Sequence, residues 1–569
     1  MLFRSARFRP LVLRCKQNGV AMRIGTNHGS LSDRIMNRFG DTPAGMVESA
    51  LEFLDVCEAE GFHDVVFSMK SSNTQVAIAA YRLLAARLEA RAPGEPSYPF
   101  HVGVTEAGDA EDGRIKSAIG IGALLEDGLG DTIRVSLTED PVREVPVARE
   151  IARVAGARAR AMRPDSAPGA ADPRSLPFAD PFAHARRPTQ EQALRTSVGL
   201  LTVVGETSDR TFGDEAPVRV ELDRPSALDR PAATAAELAL ATASLRDVAC
   251  ESLLVSFRED EGLAKLSLLA RELASLSLDW PISLRIDVDD PRQIAVLGAS
   301  LPIRPARLVA RVRPASKREA LEALAAAARS ARTGIEWEIE ADQAAIPGLV
   351  RRLVGAGAVG GAASGASPVA VSLAAGASPH AVRVLAAALA DERADATPIV
   401  LRQRIGDAGV DESALIGAAV GLGSSLCDGI GDLISLEAEK DAAAVVDLAY
   451  RVLQGARLRT TRTEYISCPS CGRTLFDLEE TTARIKQRTV HLSGVKIAVM
   501  GCLVNGPGEM ADADFGYVGS GVGQVTLYVG RQIVERAVPE AEAPDRLVEL
   551  IKRSGRWVEA EAPEASGAH

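Results

Sequence analysis

The stretch D-V-V-F-S-M-K-S-S-N-T-Q-V-A-I-A-A-Y-R-L-L-A-A-R-L-E (residues 64–89) reads as one strand followed by one helix. Residues 64–68 form a short apolar run of strand length, and from residue 74 the apolar side chains recur at i, i+3 and i+4. The same pairing repeats on both sides. Strands are expected at 22–26, 101–105 and 132–137, and helices at about 43–60, 114–126 and 141–154. Four alternating units imply a parallel sheet with right-handed crossovers, or half of a (β/α)8 barrel. Upstream, residues 10–21 read as a helix that ends at Gly19. The first 23 residues are arginine-rich and lack acids, but contain no apolar h-region.

Downstream, residues 156–195 are dominated by Arg, Ala and Pro without periodicity, and are expected to be a linker. Strand signals resume at 197–203, 218–222, 252–257, 282–287, 308–312, 335–339, 369–373 and 399–402, separated by alanine-rich helices. A second βα-barrel-like domain over 196–459 is expected. A repeat supports it: I-G-I-G-A-L-L-E-D-G-L-G-D-T-I-R-V-S-L (119–137) against V-G-L-G-S-S-L-C-D-G-I-G-D-L-I-S-L (420–436), offset by 301. In the second copy the positions of Arg134 and Val135 are missing. Residues 460–569 form a smaller α+β domain with strands at 495–500 and 525–529, helices at 477–487 and 545–553, and a disordered tail from 559. The fold class is therefore α/β: a half (β/α)8 barrel over 1–155, a second barrel-like domain, and a small C-terminal domain.

Composition narrows the function. With 65 basic and 76 acidic side chains in 569 residues, the balance argues against a general nucleic-acid binder. No run of bulky apolar residues is long enough to span a membrane. Seven cysteines, an odd number, make no disulfide framework. Cys15, Cys57, Cys250 and Cys427 are expected to be buried apolar residues. A soluble protein of a reducing, cytoplasmic compartment follows.

Polar residues gather where the half-barrel strands end, the face on which such barrels hold their sites. Strand alternation puts Arg23 with Asn27 on one face, and Arg134 with Ser136. Lys70 and Glu106 each follow a strand. Cations converging on a barrel mouth are costly unless an anion meets them, so a small, highly anionic substrate such as a diphosphate is expected. Arg114 and Lys116, at a helix start, rank lower, and His28 has no second histidine nearby for a metal.

The last constellation is S-C-P-S-C-G-R-T (467–474) with G-C-L-V-N-G-P-G-E (501–509). Cys468, Cys471 and Cys502 are spaced to grip one metal centre but leave a fourth ligand position unfilled. Glu509 is the candidate for it, after a Gly-Pro-Gly sequence suited to a type II turn. A structural zinc knot, with Glu509 as a solvated turn residue, remains open on spacing alone.

These two motifs, with R-I-G-T-N, S-M-K-S-S, T-E-A-G and I-R-V-S-L, resemble the 4-hydroxy-3-methylbut-2-enyl diphosphate synthase family of isoprenoid biosynthesis. The resemblance covers roughly residues 11–153 and 460–535. It implies a [4Fe-4S] cluster on Cys468, Cys471 and Cys502, with Glu509 as a labile fourth ligand. It further implies that Arg23, Asn27, Lys70, Arg134 and Ser136 hold a cyclic diphosphate, while Glu106 protonates the departing hydroxyl. Ferredoxin or flavodoxin would deliver the electrons; a homodimer is left open. The second barrel matches the three-domain, plant-like form, whose added domain is thought structural. Family members carry the first half of the barrel ahead of residue 22, so the chain reads as N-terminally truncated and is expected to be weakly active or inactive. The rival expectation is a non-catalytic, zinc-stabilised scaffold that binds a phosphorylated ligand.

Overall fold

The computed structural model describes residues 2–94, 97–108, 110–161, 186–190, 192–194, 210–213, 215–245, 248–257, 261–278, 280–297, 301–303, 305–330, 333–359, 369–469, 472–504, 506–510 and 512–559. The chain forms two compact units, one made of residues 1–149 with 460–569, the other of residues 150–459.

In the first unit, β1 (Met22–Asn27) pairs in parallel with β2 (Val65–Lys70), and β3 (His101–Gly103) with β4 (Thr132–Arg134). A parallel bridge between Phe67 and Phe100 joins β2 to β3, which gives the order 1-2-3-4. Helices Pro43–Ala59, Thr74–Arg91 and Ala110–Glu126 follow the first three strands. Thr42 accepts the Gly45 N–H, and Asn73 those of Gln75 and Val76, so the helix starts are capped where the apolar period begins. Strands β3 and β4 end earlier than expected, at Gly103 and Arg134. The Thr105 N–H bonds to Ser71 and that of Thr138 to Gly108. The leading helix spans Leu2–Asn18, starting well before residue 10 with Pro10 inside it, and Gly19 closes it at φ +61°.

The helix expected at 141–154 runs Glu144–Ala161, into the segment read as a linker. Beyond it, β5 (Gln192–Leu194) and β6 (Arg210–Phe212) form an antiparallel pair.

Eight parallel strands then close a barrel: β7 (Arg219–Arg224), β8 (Ser252–Ser256), β9 (Ile282–Asp287), β10 (Arg307–Val312), β11 (Gly334–Ile339), β12 (Val369–Leu373), β13 (Ile399–Arg404) and β14 (Leu433–Glu437). Segment 197–203, expected as the first strand, lies outside the described residues. The eighth strand is β14, which pairs with β7 to close the ring.

The interior of this barrel is charged, and each guanidinium there is paired with carboxylates. Arg307 bonds Glu221 and Glu336 (both 2.7 Å), Arg402 bonds Glu336 (2.5 Å), and Arg285 bonds Asp223 (2.5 Å) and Glu338 (3.0 Å). Ser435 and Ser252 donate to Glu221. Removing one member of such a network strands the others without solvent. Arg402→Met is expected to cost about 3–5 kcal/mol, a fall in the unfolding midpoint of the second unit on the order of 10 °C. An unchanged midpoint in a calorimetric scan would refute this account of the barrel interior.

The repeat is structural. The buried ion pair Arg82–Asp127 (2.8 Å) returns as Arg383–Asp428 (2.6 Å), each residue displaced by 301. Asp131 accepts the Phe100 N–H (2.7 Å) as Asp432 accepts that of Ile399 (2.9 Å). Gly130 and Gly431 have φ of 126° and 124°. These anchors set the ladder, in which Gly103 pairs with Arg134 and, correspondingly, Arg402 with Ser435. Ser435 thus stands where Arg134 does, and the apparent two-residue loss disappears once register replaces string matching.

The C-terminal part of the first unit is a five-stranded sheet: β15 (Glu464–Ser467), β16 (Lys496–Met500), β17 (Phe515–Gly521), β18 (Gln524–Val529) and β19 (Gln532–Pro539). Its first three strands are parallel, and the last two join antiparallel. Helices Leu478–Thr489 and Ala543–Arg553 cover one face through Ile485, Leu547 and Ile551 against Val499, Tyr517 and Leu527. The tail beyond 559 lies outside the described residues.

Candidate functional site

Alternation along the four half-barrel strands sorts their inner face. Arg23, Gly25 and Asn27 lie opposite Val66, Ser68 and Lys70, while His101 and Gly103 lie opposite Thr132 and Arg134. Together Arg23, Ser68, Lys70, His101, Thr105, Arg134 and Ser136 line one pocket. Gly25 makes room there, since a Cβ at that position would touch Lys70 Cε and Nζ at 3.4 Å. Burial, with Arg23 and Arg134 nearby, holds the Lys70 ammonium below its usual pKa; Glu509 and Glu106 oppose the shift. Among the described residues, Arg23, Lys70 and Arg134 make no ion pair.

Glu106 lies three residues past β3 rather than directly after it, in left-handed backbone at φ +52°. Such a conformation is costly for a residue with a Cβ and persists where surrounding structure imposes it. The side chain is 5% exposed. Burial, then the charge of Glu509, pushes its carboxyl well above the usual range, with Arg134 and Lys70 opposing. The Glu509 carboxyl is raised by burial and held back by Lys70 and by a hydrogen bond from Glu106. Asn27 Nδ2 also donates to Glu509 Oε1 (3.3 Å), so this residue, expected to meet substrate, here orients the carboxylate.

The Gly506–Glu509 segment is a single helical turn rather than the expected type II turn. Gly508 is needed for close approach instead: a Cβ there would collide with Ser30 Oγ and meet Gly29 O at 3.3 Å. The turn carrying Glu509 thus sits on the loop after β1.

Cys468 immediately follows β15, and Cys502 comes two residues after β16; these strands are neighbours, with Ser467 opposite Val499. Both thiols are half-buried. The Gly501 N–H donates to Cys468 Sγ at 3.3 Å, a contact that favours thiolate character. Cys471 lies outside the described residues. Two thiols at the ends of adjacent parallel strands, with an N–H aimed at one of them, suit a sulfur-ligated iron centre.

Other candidates have structural partners. Arg114 is paired with Glu139 (2.5 Å), and Lys116 with Glu464 (2.8 Å) in a buried bridge between the half barrel and β15. Thr138 and Ser467 hydroxyls meet at 2.5 Å beside it. His28 lies against Asp41. Cys57, Cys250 and Cys427 are buried as expected, but Cys15 is only partly so. Ser68, His101 and Thr105 also line the pocket and were not singled out from the sequence; for His101, its alternation with Gly103 and Thr105 was the available signal.

Residues 2–149 match the model of the GcpE TIM-barrel domain, and residues 464–553 that of the GcpE protein C-terminal domain. A 4-hydroxy-3-methylbut-2-en-1-yl diphosphate synthase (flavodoxin) of Chlorobaculum tepidum is 46% identical, over 97% of this chain and 72% of the relative. The chain belongs to the 4-hydroxy-3-methylbut-2-en-1-yl diphosphate synthase family. Its family relatives include the flavodoxin form of Leptospira interrogans, 44% identical over 97% of this chain and 77% of the relative. The ferredoxin form of Arabidopsis thaliana, described as chloroplastic, is 39% identical over 97% and 70%. The chain carries a closed eight-stranded barrel, four parallel strands within the residues matched by the TIM-barrel model, and a C-terminal five-stranded sheet. No helix among the described residues is long and apolar enough to cross a membrane.

Proposed function

We propose that the chain catalyses the reaction for which its relatives are named. That reaction is the two-electron reductive dehydroxylation and ring opening of 2-C-methyl-D-erythritol 2,4-cyclodiphosphate to 4-hydroxy-3-methylbut-2-enyl diphosphate. The observation that carries this reading is the charge imbalance of the half-barrel pocket. Registered on the second barrel, Arg23 corresponds to Glu336, Gly25 to Glu338, Gly103 to Arg402 and Arg134 to Ser435. In the second barrel every guanidinium of these layers meets a carboxylate. Among the described residues of the half barrel, Arg23, Lys70 and Arg134 make no ion pair with a carboxylate, so an anionic ligand supplies the missing charge.

Arg23, Lys70 and Arg134 hold the diphosphate, with Ser136 at the same wall. Glu106, kept protonated by burial and aimed by strained backbone, gives its proton to the hydroxyl that leaves as water. Asn27 and Glu106 fix the Glu509 carboxylate. Cys468, Cys471, Cys502 and Glu509 would hold a [4Fe-4S] cluster, which supplies electrons one at a time from ferredoxin or flavodoxin in a reducing, cytoplasmic compartment. The test is turnover of the cyclodiphosphate by the iron-loaded chain with a strong chemical reductant. Lys70→Met is expected to lower kcat/KM about a hundredfold, as for a lost charge-assisted contact to phosphate. Equal kcat/KM in the two proteins would remove Lys70, and the cation pocket, from the reaction.

A further inference from the structure

The pocket holds one titratable side chain without a role in the reaction described above. His101 stands on β3, on the same face as Gly103 and directly opposite Thr132 of β4. Its Nδ1 lies 2.7 Å from Thr132 Oγ1, which sets the ring across the β3–β4 ladder. The ring lines the pocket with Arg23, Lys70 and Arg134. Among the described residues, Nε2 has no hydrogen-bond partner.

The second barrel is an internal control. In matched register, His101 corresponds to Val400 and Thr132 to Leu433. An apolar pair therefore suffices for the ladder. The imidazole and the hydroxyl that anchors it disappear together, in the copy whose guanidinium groups are paired with carboxylates. Their joint presence in the half barrel answers to the pocket rather than to strand packing.

We propose that His101 is a further substrate-positioning group, which takes up a proton as a diphosphate enters and then donates from both ring nitrogens, Nδ1 to Thr132 and Nε2 to a phosphate oxygen. This rests on the reading of the pocket as a diphosphate site.

The electrostatics give the direction. Burial and the charges of Arg23 on β1, Arg134 on β4 and Lys70 on β2 hold the imidazole below its ordinary range, hence neutral near pH 7. The neighbouring acids do not offset them: Asp131 spends its carboxylate on the Phe100 N–H, and Glu106 and Glu509 bond to each other. Tyr81 bonds the His101 carbonyl from behind, not the ring. A diphosphate cancels the field of the three cations and adds negative charge, so the protonated ring becomes the favoured form. The bound pKa then exceeds the free one. Proton uptake accompanies binding between those two values, and by linkage affinity rises as pH falls through that window.

The experiment uses the iron-loaded full chain and inorganic pyrophosphate as the probe, with affinity measured by calorimetry at pH 8 and pH 6. His101→Gln keeps a side-chain N–H donor but cannot titrate, and the ionisation of pyrophosphate itself is common to both proteins. The gain in affinity on acidification is expected to be about tenfold larger in the wild type than in His101→Gln, the equivalent of one pKa unit. Parallel pH curves would overturn the proposal. Should His101→Gln not fold, Thr132→Val retains the ring without its anchor. It is expected to shrink the same difference, and a wild-type pH dependence in it would overturn the proposal equally. The Lys70→Met variant separates the two readings. If it binds pyrophosphate as tightly as the wild type, the cation pocket is not the anion site, and the role of His101 falls with it. If its binding is lost while wild type and His101→Gln run parallel, the pocket stands and only the proposal for His101 fails.

Discussion

Cys468→Ser, Cys471→Ser and Cys502→Ser are each expected to yield a protein without bound iron and sulfide, and without turnover. A sulfur-ligated cluster is brown, with broad absorption near about 400 nm, and serine is a poor replacement for thiolate on iron. The argument rests on the placement of Cys468 and Cys502 beyond two adjacent parallel strands, with the Gly501 N–H on Cys468 Sγ. Cys250→Ser and Cys427→Ser are the controls, since both thiols are buried in the second unit, whereas these strands belong to the first. Iron and sulfide counts after anaerobic purification decide it. Equal counts in all five variants would void the ligand assignment. A colourless wild type holding zinc would favour the rival scaffold reading.

Glu106→Gln is expected to retain cluster and substrate affinity while cutting the rate about a hundredfold or more, the usual loss when a positioned proton donor goes. Glutamine is nearly isosteric and still donates to Glu509, so the geometry of the carboxyl pair persists while the acidic proton does not. The informative comparison is kcat against KM in single-turnover and steady-state assays. A fall in kcat with KM unchanged fits a group that acts in the transition state. A wild-type kcat would place the proton donor elsewhere.

Periodicity carried the sequence reading a long way, because the strand and helix repeats are local properties of side-chain spacing. The half barrel, the second barrel and the α+β C-terminal domain were legible in this sense, as were the cations at strand ends. Less legible was anything set by pairing between distant segments. Strand β14 was read only as part of a repeat, since nothing local says that residues 433–437 close a ring onto residues 219–223. The ends of β3 and β4 depend on where their mutual pairing stops, at Gly103 and Arg134.

The sequence by itself determined the inventory: the cysteine motif, the cations, Glu106 and Glu509, and the alternation that puts them on strands and turns. Tertiary structure alone decided how the charges are balanced. Whether Arg134 matches a gap or Ser435 is a question of ladder register, fixed by the Asp131 and Asp432 anchors. Whether Gly508 serves a turn or a close approach depends on Ser30, far away along the chain. The contact of Asn27 with Glu509 spans 482 residues. The hydrogen bond of Glu106 to Glu509 needs the same long-range approach. Burial and Coulomb interactions act through space, so the protonation of Glu106 and the unbalanced charge at Arg23, Lys70 and Arg134 exist only once the chain has brought these residues together.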